Sequence, residues 1–223
     1  MLINPQQHAN LRYLPIDNRY FAASRSWIQV VCEDIEPLIR RGVPIVLEAG
    51  ADALPIALLR PTDRDDTLGG HMPVMWRGYP FTLGPDTVGL NHADQVTCHA
   101  PLWADPDAPH WSSGHGYRLF DSDEKPTPFL RDVMSNLQAR QRTIQHTYTL
   151  VSLLHRAEAL SPMSVEYGSQ RHAIYRIDLT NLEERLIALD SEHSTQALYL
   201  ATLLHKSQVW LSSLEDIASV KSL

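Results

Sequence analysis

Between Phe129 and Ser161 the chain contains neither proline nor glycine, and that stretch limits the available folds more than any other feature. A segment free of both breakers over such a length is built to be helical. Thr127 is a good N-cap, because its hydroxyl can accept from an unpaired first-turn N–H, and Pro128 suits the first helical position. Leu130, Val133, Met134, Leu137, Ile144, Tyr148, Val151 and Leu154 then recur at spacings of three, four or seven. Such spacing draws one apolar stripe along a helix. Gln141 interrupts the stripe and Pro162 ends the run. The segment reads as one long helix, or as two broken near Arg140–Thr143.

Upstream the pattern is different. Glu33–Arg41 reads as a short helix, with acids in its first turn, Ile35, Leu38 and Ile39 on one face, and Gly42 as its stop. Pro37 fits that helix only in the first turn. Val43–Glu48 and Leu54–Leu59 are apolar runs separated by turn residues, which predicts an antiparallel pair. Residues 60–70 form a polar loop. His71–Trp76, Tyr79–Leu83, Thr87–Leu90 and Gln95–His99 read as short strands, and Leu102–Gly116 as loop. Downstream, Met163–Tyr167 and His172–Asp178 predict a hairpin through Gly168. Asn181–Leu189 (capped by Thr180), Thr195–Val209 and Ser212–Val220 predict three helices. Strands first and helices later, with one more hairpin, argue an α+β fold. A mostly antiparallel sheet from the N-terminal half would pack with the hairpin against the long helix and the C-terminal helices. At 223 residues and 43% hydrophobic content the chain can bury its core as a single domain, 1–223. Its first 20 residues, polar and irregular, read as a loosely held arm.

Charge and composition exclude several functions. The net charge is −7, from 19 Lys and Arg against 26 Asp and Glu, and no basic stripe is apparent, so neither nucleic acid nor an anionic membrane is expected as partner. The first ten residues carry no basic region followed by an apolar core, so a secretory signal is not expected there. No transmembrane segment is expected either, since no run approaches the ~18 apolar residues a span needs. Cys32 and Cys98 read as two reduced thiols rather than a framework. These features together predict a cytoplasmic protein.

One segment stands out: His71-Met-Pro-Val-Met-Trp-Arg-Gly-Tyr-Pro-Phe-Thr-Leu83. Its Pro73, Arg77, Tyr79, Pro80, Phe81 and Leu83 resemble a pattern of the SapC family of bacterial proteins, named for a component of a surface-layer system. Pro44–Val46, Pro55–Leu59, Leu119–Leu130, Ile177–Leu189 and Trp210–Leu214 follow in the order and spacing that family shows. The chain departs from the family pattern at Ser122–Lys125 and Gly168–Gln170, where Asp-Gly or similar is expected. The resemblance implies a bacterial protein with an envelope or surface-layer function, and it brings no established catalytic residues.

Two candidate sites follow from the residues. Pro73, Trp76, Arg77, Tyr79, Pro80 and Phe81 would form a binding segment, since a guanidinium beside aromatic rings can hold a carboxylate or a peptide. The competing reading puts those rings in the core with Arg77 tied to an acid or carbonyl. His92, His99, His110 and His115, with Asp94 and Cys98 among them, could ligate Zn or Fe, although their spacing matches no defined metal signature. Asp121–Lys125 resembles the start of a calcium loop but has Pro126 where the turn needs Gly, so a polar lead-in to the helix is the better reading. Neither Gly-x-Ser-x-Gly nor a Gly-rich phosphate loop occurs. The dense leucines from Leu198 to Leu214 read as core or as a partner-binding face. The expectation is a non-catalytic accessory protein with a protein or peptide partner, homo-oligomerisation being left open and any cofactor unknown. The alternative is a small Fe- or Zn-dependent enzyme acting through the histidine-rich region.

Overall fold

The computed structural model describes residues 1–18, 25–50, 53–59, 68, 70–84, 101–167 and 170–220. Among these residues the helices are α1 (Pro5–His8), α2 (Cys32–Ile39), α3 (Pro128–Arg156), α4 (Leu182–Leu189) and α5 (Ser194–Val220). The strands are β1 (Arg12–Tyr13), β2 (Trp27–Gln29), β3 (Ile45–Leu47), β4 (Pro55–Leu58), β5 (Phe81–Leu83), β6 (Leu102–Ala104), β7 (Trp111–Ser112), β8 (Tyr117–Arg118), β9 (Leu160–Tyr167) and β10 (Gln170–Ile177). All pairings within the small sheets are antiparallel, so the class is α+β as expected.

The chain divides into two compact units, Met1–Asn18 with Trp76–Gln141, and Arg19–Met75 with Arg142–Leu223. In the first unit β1 is the central strand of the order β7-β1-β8, and β5 pairs with β6. Its core gathers Ile3, Phe81, Leu102, Leu119, Phe120, Leu130 and Leu137. The first 18 residues are therefore integral to this unit, not a loose arm: Ile3 N–H donates to Leu102 O at 2.8 Å, and Leu2 bridges Trp103. The polar tract hid this because two-residue strands leave almost no periodic signal. Gly116, at φ +104, brings β8 so close that a Cβ would lie 2.3 Å from Tyr13 O. Only glycine takes that conformation and approach without strain.

In the second unit β3 and β4 form the expected pair, Ile45 facing Ala57, with β2 on the other edge of β4. Every residue of β3 and β4 is buried, which explains why both read as unbroken apolar runs rather than alternation. The hairpin is longer than predicted: Leu160 pairs with Ile177 and Tyr167 with Gln170. Pro162 thus lies inside a strand rather than ending the helix. The helix stops instead at Arg156, before Glu158 turns left-handed at φ 53. It is unbroken, with residues 128–141 in the first unit and 142–156 in the second, so the units divide where the apolar stripe lapses at Gln141.

Other expectations are corrected. His71–Trp76 is no strand; its end is a 3₁₀ turn at Val74–Trp76. Leu102–Gly116 is not all loop, since it holds β6 and β7. The two last helices are one, α5, because no Pro or Gly intervenes to break it. Pro37 sits in the second turn of α2, where its missing N–H forfeits one ladder bond. Asn181, at φ 50, replaces Thr180 as the cap residue of α4. Thr87–Leu90 and Gln95–His99 lie outside the described residues, as does nearly all of the 60–70 loop.

Candidate functional site

The Tyr-Pro-Phe segment is governed by a residue far from it in sequence. Asn18, itself buried, donates through Nδ2 to Trp76 O at 3.1 Å and Tyr79 O at 2.8 Å. One amide side chain thereby fixes both ends of the turn that carries Arg77 and Gly78. With Nδ2 donating, Asn18 Oδ1 is an acceptor, so the 2.9 Å contact to His110 Nε2 makes that nitrogen the donor. His110 is wholly buried, stacked on Tyr13 at 5.4 Å between centroids and edge-on to Tyr79. Burial holds its pKa below the usual imidazole value, while the Asp105 charge and a hydrogen bond with the Ile16 backbone oppose the shift.

Asp105 secures the other side. Its Oδ2 accepts from Tyr79 Oη at 2.8 Å, its Oδ1 from Asp107 N–H, and its backbone carbonyl from Trp111 Nε1 at 2.8 Å. The Tyr79–Pro80 peptide is cis. Phe81 enters the core and meets Trp111 edge-on at 5.5 Å. Gly78 is packed against α3, where a Cβ would come 2.5 Å from Leu137 Cδ2.

This geometry divides the sequence-predicted site. Pro80 and Phe81 are buried, and Trp76 and Tyr79 are half-buried against each other at 5.4 Å. Arg77 is exposed at the tip of the turn. Pro73 is buried and belongs to the second unit. Phe81 thus packs in the core, whereas Trp76 and Tyr79 are each partly accessible beside the exposed Arg77. Asn18 and Asp105, which position the segment, carried no motif; only the structure reveals them.

The histidines are not brought together where they are described. His110 is buried in the aromatic stack, whereas His115 lies on an exposed turn. His92, His99, Asp94 and Cys98 fall outside the described residues. Among the described residues no group of three His, Cys, Asp or Glu side chains is arranged to hold a metal. In the calcium-like stretch, Asp121 Oδ1 accepts from the Asp123 and Lys125 N–H groups at 2.9 Å each. Thr127 Oγ1 then caps α3 through Leu130 N–H at 3.3 Å, so the segment acts as a helix lead-in.

A second polar centre lies in the other unit. Asp34 is fully buried at the start of α2, and its carboxylate accepts from Val31 N–H at 3.3 Å, Val74 N–H at 3.1 Å and His71 Nε2 at 2.9 Å. Burial pushes the Asp34 carboxyl up; the bonds from His71, Val31 and Val74 pull it back only in part. This centre ties residues 71–74 to α2, and no sequence motif announced it.

No described helix is long and apolar enough to cross a membrane. The sequence model of a family described as SapC matches residues 3–220. No curated protein and no solved structure matches the chain.

Proposed function

The chain belongs to the SapC family, and from that premise we propose that it is a non-catalytic accessory protein, binding a protein or peptide partner in a bacterial envelope or surface-layer pathway. The observation that carries the reading is the turn at Trp76–Tyr79. An exposed Arg77 sits at its tip, and Asn18 holds the backbone on both sides. A guanidinium on a pre-set backbone loses less entropy on forming a bidentate contact with a carboxylate than one on a loose loop. The nearby polar groups serve the fold instead: His110 is inaccessible and Asp105 is occupied by Tyr79 and Asp107. On this reading the protein meets its partner in the cytoplasm.

The test is affinity capture on immobilised protein from a lysate of the source bacterium, with quantitative mass spectrometry. Wild type should retain a specific protein that Arg77→Ala retains at least about tenfold less. Lys125→Ala, which removes another exposed cation, should retain it normally. Equal retention by all three proteins, or no specific protein on wild type, overturns the reading.

A further inference from the structure

The second unit contains a cleft of about 370 Å³ between α2, α3 and α5. That volume is within the range of small-molecule sites, which favour such inter-helix positions. Its wall is apolar, contributed by Leu150, Leu200 and Leu203, the first two almost completely buried. Glu33, Tyr199, Cys32 and the imidazole of His146 also line it, and among the described residues neither lysine nor arginine does.

The Glu33 and Tyr199 side chains are each held by a hydrogen bond to a residue outside the lining, and Cys32 by its backbone. Thr143 Oγ1 donates to Glu33 Oε1 at 3.1 Å, which orients the carboxylate. Tyr199 Oη donates to Glu36 Oε2 at 2.7 Å, which fixes the direction of its ring. Cys32 N–H donates to Thr147 Oγ1 at 3.1 Å, and that hydroxyl donates in turn to Thr143 O at 2.9 Å. Burial raises the Cys32 thiol above its usual value, so at neutral pH it adds no charge and Glu33 supplies the negative one. A site whose polar groups are oriented before a ligand arrives binds at lower entropic cost.

We propose that this cleft binds a small organic ammonium ion with an apolar body. The apolar part would lie on Leu150, Leu200 and Leu203. The ammonium group would donate to the Glu33 carboxylate and lie near the Tyr199 ring, which attracts cations through its face. Among the described lining residues an anionic ligand finds no lysine or arginine, only the His146 imidazole, and it meets the Glu33 carboxylate at the rim. A neutral alcohol of the same shape keeps the apolar contact and loses the charge-assisted bond. The site is separate from the Arg77 turn and does not depend on the function proposed for it.

The experiment titrates the full chain at about pH 8 with phenethylamine, phenethyl alcohol and phenylacetate in parallel, by calorimetry and amide chemical-shift mapping. The amine should bind roughly tenfold more tightly than the alcohol, phenylacetate should bind most weakly, and shifts should centre on α2 and α5. Glu33→Gln should abolish the preference for the amine over the alcohol. Leu203→Trp, at the half-exposed edge of the wall, should block both. No amine binding, equal binding of all three compounds, or unchanged selectivity in Glu33→Gln overturns the proposal. Should Leu203→Trp fail to fold, Glu33→Gln decides alone, because Glu33 is exposed and its loss leaves the core intact.

Discussion

Each of the two units holds a histidine in a polar centre, and they do so in opposite ways. In the first, His110 pairs with the neutral amide of Asn18 and is wholly buried against the Tyr13 and Tyr79 rings. In the second, His71 stays partly exposed and meets the buried carboxylate of Asp34. The neutral pair asks little of its surroundings beyond matched donors and acceptors. A buried carboxylate instead needs every one of its bonds, because charge without partners is costly in a low-dielectric interior. The first centre is therefore a positioning device for one turn, whereas the second is a clamp on which its segment depends.

The largest effect expected from this contrast is at Asp34. Asp34→Ala strips the acceptor from Val31, Val74 and His71 together and should lower unfolding free energy by about 3–5 kcal/mol in urea melts near neutral pH. Asn18→Ala should cost less, about 1–3 kcal/mol. If Asn18→Ala proves the more damaging, the division into clamp and positioning device fails.

A pH series sharpens the same contrast. His110 has its pKa lowered in the folded protein, so the unfolded chain takes up the proton first as pH falls. Its stabilising contribution is fully present above the usual imidazole value of about 6.5 and is lost progressively below it. Asp34 is shifted upward, so its contribution has the other sign: it favours the fold at acid pH and declines as pH rises above the usual aspartate value of about 3.9. His110→Gln should therefore flatten the fall in stability between about pH 7 and about pH 5. A fall as steep as in wild type would mean that another group carries it. The smallest effect belongs to Tyr79→Phe, which removes the hydroxyl that donates to Asp105 and should cost about 1 kcal/mol. A cost well above that would make Asp105 a clamp like Asp34.

What could be read from the sequence depended on range. The α3 helix, the β3–β4 pair, the β9–β10 hairpin and α4 were all legible, because each is declared by its own neighbours: a cap, a period, a turn. The two-residue strands β1, β7 and β8 were not, since their pairing is decided by residues far along the chain. The site divides the same way. Trp76, Arg77 and Tyr79 stood out as a local pattern. Asn18, Asp105 and the Asp34–His71 pair are ordinary residues until folding brings them to their partners.

The central place of β1 bears on how the protein is made. Its neighbours β7 and β8 lie about a hundred residues downstream, so at roughly 5–20 residues per second the ribosome delivers them some 5–20 s after β1 has emerged. Throughout that interval β1 lacks the two strands that flank it. A segment made early thus settles late, and translation speed sets how long it must wait.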